Sequence, residues 1–287
     1  MSLHSTLKAA AQPQGKAARR FSVPRNVWLS GATLLTVLIV WWGVTALQLI
    51  SPLFLPAPQQ VLHQLITIAS PQGFMDATLW QHLVASLGRI LVALLAAVIV
   101  GIPVGIAMGL NDTVRGILDP LIEIYRPVPP LAYLPLMVIW FGIGETSKIL
   151  LIYLAIFAPV TLSAVAGVRS VAQVRVRAAR ALGATRWQVL RFVVLPSALP
   201  EILTGIRIGL GVGWSTLVAA ELIAATRGLG FMVQSAGEFL ATDVVLAGIG
   251  VIAVIAFGLE LGLRALQRRL TPWHGVQQRS EEHTSEL

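Results

Sequence analysis

The 287-residue chain contains no cysteine. That excludes disulfides, thiolate metal sites and cysteine nucleophiles, and leaves the redox compartment open. Charge is scarce too: 12% of residues are Asp, Glu, Lys or Arg, against about 25% in an average soluble domain. With 56% hydrophobic residues and a mean hydropathy of +0.78, this deficit points to a polytopic membrane protein. Lysine occurs only as Lys8, Lys16 and Lys148, and none ends a G-x-x-x-x-G-K-[ST] phosphate loop. ATP, if it drives this protein, is therefore bound by another chain. The histidines (His4, His63, His82, His274, His283) are scattered, with no H-E-x-x-H pair, and read as surface or interfacial groups. No G-x-S-x-G elbow is present.

What charge there is lies unevenly. Lys8, Lys16, Arg19, Arg20 and Arg25 mark residues 1–26 as a basic, disordered tail. Residues 27–50 then carry no charge. At about 1.5 Å per residue this run exceeds the ~30 Å hydrocarbon layer, and it is longer than a signal-peptide core of about 7–15 residues. It reads as an uncleaved first transmembrane helix. Five further spans follow at 87–110, 121–141, 149–168, 202–225 and 244–266. The third is interrupted by Pro127, Pro129, Pro130 and Pro135, each of which removes a backbone donor.

Arginine and lysine set the expected orientation, because cytoplasmic loops hold their excess. Residues 51–80 have neither and are expected outside, in the periplasm. So are the loops around Glu145 and Lys148 and from Thr226 to Thr242. Both termini are expected inside, with Arg115, Arg268, Arg269 and the arginine-rich segment after Arg169. Residues 81–268 form the membrane domain of this scheme and 269–287 a cytoplasmic tail. Its last part, "RSEEHTSEL" (279–287), is unlike the rest and is read as disordered or non-native.

The segment "VRVRAARALGATRWQVLRFVVLPSALPE" (174–201) is the one long basic, amphipathic stretch. Val174, Ala178, Ala181 and Leu182 share a helical face, Gly183 can take φ > 0 and end that helix, and a second helix over 185–194 is expected to stop at Leu195-Pro196. Read bottom-up, this is a cytoplasmic helix–turn–helix elbow. No stacking aromatics accompany the arginines, which argues against nucleic acid.

The spacing Ala178-Ala179, three residues, Gly183, nine residues, Val193, one residue, Leu195-Pro196 resembles the EAA motif of ATP-binding cassette importer permeases. "YRPVPPLAYLPLMVIWFGIGETSKI" and "GVGWSTLVAAELIAATRGLGFMVQSAGEFLATDVVLAGI" resemble the taurine branch of the nitrate/sulfonate/taurine family. The resemblance implies an all-α integral membrane protein of about six transmembrane helices with a cytoplasmic coupling-helix loop at about 174–200. It implies that Ala178, Ala179, Gly183, Ala184 and Trp187 dock an ATPase subunit. The implied partners are two copies of that ATPase, which carry ATP and Mg, a periplasmic substrate-binding protein and a second copy of the chain, all around a bacterial inner membrane. No cofactor of the chain's own is implied. The motif's glutamate is Arg177 here, so no acidic docking contact is carried over. The implied cargo is taurine or a similar sulfonate. The alternatives are another small anion such as an alkanesulfonate or nitrate, or an ion-coupled secondary transporter.

Charges inside spans are costly and mark cavities or partners. Glu221 in span five, and Glu123 with Arg126 in "LIEIYRPVPP", are the candidates for a substrate pathway. Against this stands a structural reading: Glu221 as a hydrogen-bonded packing group, and Glu123–Arg126 as an i,i+3 ion pair. Two glycine ladders, Gly101–Gly105–Gly109 and Gly205–Gly209–Gly213, let helices approach closely. One is expected to pack within the chain, and the other is a candidate contact between two copies.

Overall fold

The computed structural model describes residues 25–272. The expected basic tail (apart from its last residues), His4, His274, His283 and the segment 279–287 lie outside the described residues. Every regular element among the described residues is helical. The chain divides at Ile50 into two units. The first holds helix α1, Arg25–Ala46, which carries no charge after Arg25.

The second unit contains α2 (Pro58–Ala69), α3 (Leu79–Leu110), α4 (Asp112–Tyr125), a 3-10 turn (Pro130–Tyr133), α5 (Leu134–Phe141), α6 (Glu145–Arg169), α7 (Gln173–Ala181), α8 (Arg186–Val189), a π turn (Leu190–Val194), α9 (Leu195–Ala224), α10 (Leu229–Glu238) and α11 (Thr242–Leu270). Among the described residues, five stretches are long and apolar enough to cross a membrane: Trp28–Ala46, Leu79–Leu110, Glu145–Arg169, Arg186–Ile223 and Thr242–Leu270.

The expected third span, 121–141, is not one continuous helix. α4 ends at Tyr125 and only the shorter apolar stretch Pro130–Phe141 follows. Pro127, Pro129 and Pro130 have no N–H to propagate the helix. Three further expectations need correction. The helix of span two starts at Leu79, not 87. Thr78 caps it through a reciprocal box, Thr78 N–H to Gln81 Oε1 at 3.0 Å and Gln81 N–H to Thr78 Oγ1 at 3.4 Å. The segments 51–80 and 226–242 are not plain loops; they contain α2 and α10. Leu195-Pro196 does not stop the second elbow helix, because helical structure runs from Arg186 through both Pro196 and Pro200 to Ala224. The wider π turn just ahead of Pro196 loosens the turn against which a proline ring clashes.

The core is α6 held between α3 and α9. Ile90, Ala93 and Ala97 of α3 meet Ile152, Ile156 and Val160 of α6 and Leu210, Trp214 and Leu217 of α9. Both glycine ladders serve this packing. A Cβ on Gly105 would lie 2.5 Å from the Thr161 carbonyl oxygen, and one on Gly109 would lie 2.7 Å from Val168 Cβ. On α9, a Cβ on Gly209 would meet Ile156 at 3.0 Å, and one on Gly213 would meet the same side chain at 2.5 Å. Gly101 and Gly205 likewise face α6, at Thr161 and Ser163. Neither ladder is left free for a second copy, since both are filled by α6. Lipid provides no hydrophobic drive between helices, so such backbone approach supplies the dispersion contact instead.

Candidate functional site

Three places in the second unit concentrate polar chemistry. The first is a buried ionic network where α3 and α6 begin and α9 ends. His82, Ser86 and Arg89 fall on one face of α3 by their spacing, and all three are buried. Arg89 donates through Nε and Nη2 to both oxygens of Glu145, at 2.6 and 2.9 Å. Its Nη1 donates to Glu221 Oε1 at 2.5 Å and to the Arg227 carbonyl at 2.7 Å. Lys148 donates to Glu145 Oε1 at 2.7 Å. With all four groups ionised, Arg89 and Lys148 balance Glu145 and Glu221. Only Glu145 reaches solvent, with 58% of its side chain exposed.

This network also fixes the start of α10, whose first N–H groups have no intrahelical partner. Gly228 N–H donates to His82 Nδ1 at 3.1 Å, Leu229 N–H to Ser86 Oγ at 2.9 Å, and Gly230 N–H to Glu221 Oε2 at 2.9 Å. The Ser86 hydroxyl in turn donates to Glu221 Oε1 at 2.8 Å. Glu221 is thus an anionic cap supplied to α10 by another helix, at the end where the helix dipole favours negative charge. The two glycines make the approach possible. A Cβ on Gly228 (φ 144°) would fall on the Glu221 carboxylate, and one on Gly230 would lie 2.6 Å from the Val218 carbonyl oxygen. Glu221 lines none of the three cavities described for this chain.

Sequence reasoning picked out Glu221 but missed Arg89, Ser86, His82, Glu145 and Lys148. His82 is no surface group, and Lys148 is a buried residue in the first turn of α6 rather than part of an exposed loop. One signal was available: Arg89 is the lone charge of the second span, and it is opposite in sign to Glu221 in the fifth, which otherwise carries only Arg207.

The second place is the elbow. α7 ends in a Schellman motif: Ala184 N–H donates to the Ala179 carbonyl at 3.1 Å and Gly183 N–H to the Arg180 carbonyl at 2.9 Å. Gly183 has φ 86° with open space around it. Thr185 then caps α8, its Oγ1 accepting from Gln188 N–H at 3.3 Å. Ala178 and Trp187 are exposed and Ala184 half-buried. The apolar face of Val174, Ala178, Ala181 and Leu182 points outward, while Val176 and Ala179 pack inward onto Val171, Val189 and Val194. Leu182 is 89% exposed. A cavity of about 870 Å³ lies behind the elbow, bordered by Arg169, Arg180, Arg186 and Trp187.

The third place is a cavity of about 410 Å³ at the break after α4, between the middles of α6 and α9. Arg126 and Tyr125 line it, with Tyr133, Ser163 and mostly apolar neighbours. Glu123 and Arg126 are both exposed and form no ion pair with each other. Arg126 is the C-cap residue of α4, and its side chain lines the cavity instead.

Comparison with known proteins agrees with this geometry. Residues 97–272 match the family described as binding-protein-dependent transport system inner membrane component. The taurine transport system permease protein TauC of Escherichia coli (strain K12) is 81% identical over 256 residues, covering 89% of this chain and 93% of that protein. The riboflavin transport system permease protein RibX of Chloroflexus aurantiacus is 33% identical, over 84% of this chain and 88% of that protein. Among solved structures, an inward-facing MetNI methionine ABC transporter superposes with a TM-score of 0.59 at 19% identity, over 67% of this chain and 96% of that one. At that identity the likeness concerns the fold. The match over 97–272 and the two permease relatives establish that the chain belongs to the binding-protein-dependent transport system inner membrane components, as a multi-pass transport subunit rather than an enzyme.

Proposed function

We propose that the chain is the membrane-spanning permease of an ATP-driven importer for taurine or a similar small sulfonate. The observation that carries this reading is the 81% identity to a taurine transport permease over 89% of the chain. Two copies form the pathway in a bacterial inner membrane, with both termini cytoplasmic. Two ATPase subunits, carrying ATP and Mg, grip the elbows, and a periplasmic binding protein delivers the cargo. Closure of the ATPases on ATP moves the elbows and opens the spans outward; hydrolysis returns them.

The docking surface in this scheme is the outward apolar face of α7 with Ala178, Gly183 and Trp187, supported from behind by Ala179 and Ala184, which pack inward. Support for it comes from an apolar face that nothing among the described residues covers and from Arg175, Arg177, Arg180, Arg186 and Arg191, which have no carboxylate partner among the described residues. Because Arg177 stands where the family motif has glutamate, the ATPase groove is expected to offer it a carboxylate or a carbonyl. Glu221 acts in this reading as the cap that holds α10.

The test is reconstitution. The permease, co-expressed with its ATPase, goes into proteoliposomes and is offered the binding protein with taurine, alkanesulfonates or nitrate. Taurine-dependent uptake that stops without ATP hydrolysis is expected. Uptake that survives without hydrolysis points to the ion-coupled reading, and uptake of nitrate alone moves the cargo. Reporters fused after Gln60 and after Arg180 are expected outside and inside, respectively; the same side for both refutes the topology.

A further inference from the structure

We propose that Arg126 and Tyr125 are the sulfonate-recognising residues of the translocation cavity. This deepens the reading above and rests on it. The cavity of about 410 Å³ sits at the helix break, against Leu154–Ala166 of α6 and Ile208 and Val212 of α9, midway along both helices.

Its polar side chains are Tyr125, Arg126, Tyr133 and Ser163, none of them acidic. Arg126 has no carboxylate partner among the described residues. A guanidinium does not shed its proton in a protein, so the charge persists at the cavity that Arg126 lines, where the exposed side chain is free to meet a ligand. Arg89, by contrast, is locked to two carboxylates. The Tyr125 hydroxyl is buried without a hydrogen-bond partner among the described residues, which is unusual enough in a folded protein to need a reason. No Asp, Glu or Lys lines the cavity, and Pro127, Pro129 and Pro130 remove backbone N–H groups from the adjoining chain. Anion binding therefore falls to side chains.

A guanidinium fork and a phenol suit a tetrahedral oxyanion. The fork donates to two oxygens, as it does to phosphate, and the phenol donates to the third. The apolar wall, with Ala158, Leu162 and Val212, takes a short methylene chain. A site of this size is in the usual range for small ligands. The ligand chemistry is one singly charged tetrahedral anion on a short carbon chain. A sulfonate substrate meets it, and so does the phosphate of an anionic lipid.

The test uses the whole complex, permease with ATPase, in proteoliposomes with purified taurine-loaded binding protein. Arg126→Gln is expected to lower taurine uptake per complex by about tenfold, the loss typical of a charge-assisted hydrogen bond. Arg126→Lys and Tyr125→Phe are each expected to cost about threefold. ATP hydrolysis stimulated by the loaded binding protein stays within about twofold of the parent in all three, because docking and coupling lie elsewhere. Uptake by Arg126→Gln equal to the parent overturns the inference, as does a parallel fall in stimulated hydrolysis, which would mark a structural role. The lipid source is separated by vesicles of phosphatidylcholine with or without phosphatidylglycerol. A loss seen in both supports the sulfonate; a loss confined to phosphatidylglycerol vesicles overturns it. A parent complex that takes up no sulfonate overturns the broader reading as well, whereas a normal parent beside a normal Arg126→Gln overturns only this one.

Discussion

The two ends of the helical core handle charge in opposite ways. Where α3 and α6 begin, Arg89, Lys148, Glu145 and Glu221 are joined by hydrogen bonds of 2.5–2.9 Å and sum to zero. At the elbow, Arg175, Arg177, Arg180, Arg186 and Arg191 have no carboxylate partner among the described residues, although Arg191 sits 5.8 Å from the Phe192 ring centroid. Burial explains the difference. A charge taken out of water must be paired and hydrogen-bonded, so the inner groups form a closed set that shapes the fold. A charge at the surface can remain unpaired, available to lipid or to another protein.

The sharpest way to break this comparison is to unbalance the buried set. Arg89→Met strands Glu221 in the core and is expected to cost about 3–5 kcal/mol, seen as low membrane levels and early thermal unfolding in detergent. Adding Glu221→Met should recover part of that loss, because Glu145 and Lys148 remain paired. A single variant as stable as the parent would mean that the network contributes nothing. Gly228→Ala comes next. The new Cβ falls on the Glu221 carboxylate and the residue must hold φ 144°, for about 1–3 kcal/mol by the same melting measurement.

The elbow should respond differently. Gly183→Val carries about 1–2 kcal/mol of local strain at φ 86°, but the Cβ meets open space. Normal membrane insertion with loss of ATPase co-purification and uptake is expected. A variant that keeps both would sever the elbow from coupling. The smallest effect belongs to Glu123→Gln. The side chain is exposed and unpaired, so a change within about 0.5 kcal/mol and unaltered uptake are expected.

How far each end could be read from the chain alone follows from the range of its contacts. The elbow is local: Ala179, Gly183 and Ala184 lie within six residues and form one Schellman motif, so spacing alone carries the information. The break after α4 is equally local, written in Pro127, Pro129 and Pro130. The network is not. Ser86 and Arg89 meet Glu221 across 135 and 132 residues, and no short pattern records such a pairing. Placing the start of span two at 87 also hid the polar face of His82, Ser86 and Arg89, since an apolar run was taken as the helix when a cap at Thr78 begins it. α2 and α10 escaped notice because each is a short helix inside a segment read only for charge. Both glycine ladders were visible, but which helix fills them is a tertiary fact.

The division of labour between the two ends is tested most directly by uptake per assembled complex in proteoliposomes, with Glu221→Gln beside Gly183→Val. Glutamine keeps the shape and an acceptor for Ser86 and Gly230 but removes the charge that answers Arg89. If Glu221 caps α10 and the elbow couples, Glu221→Gln melts earlier, by about 1–3 kcal/mol, yet transports within about twofold of the parent once assembled. Gly183→Val then keeps its stability and loses transport with its ATPase. A Glu221→Gln complex that assembles, melts and hydrolyses ATP like the parent but fails to transport would contradict this, and would place Glu221 on the substrate pathway.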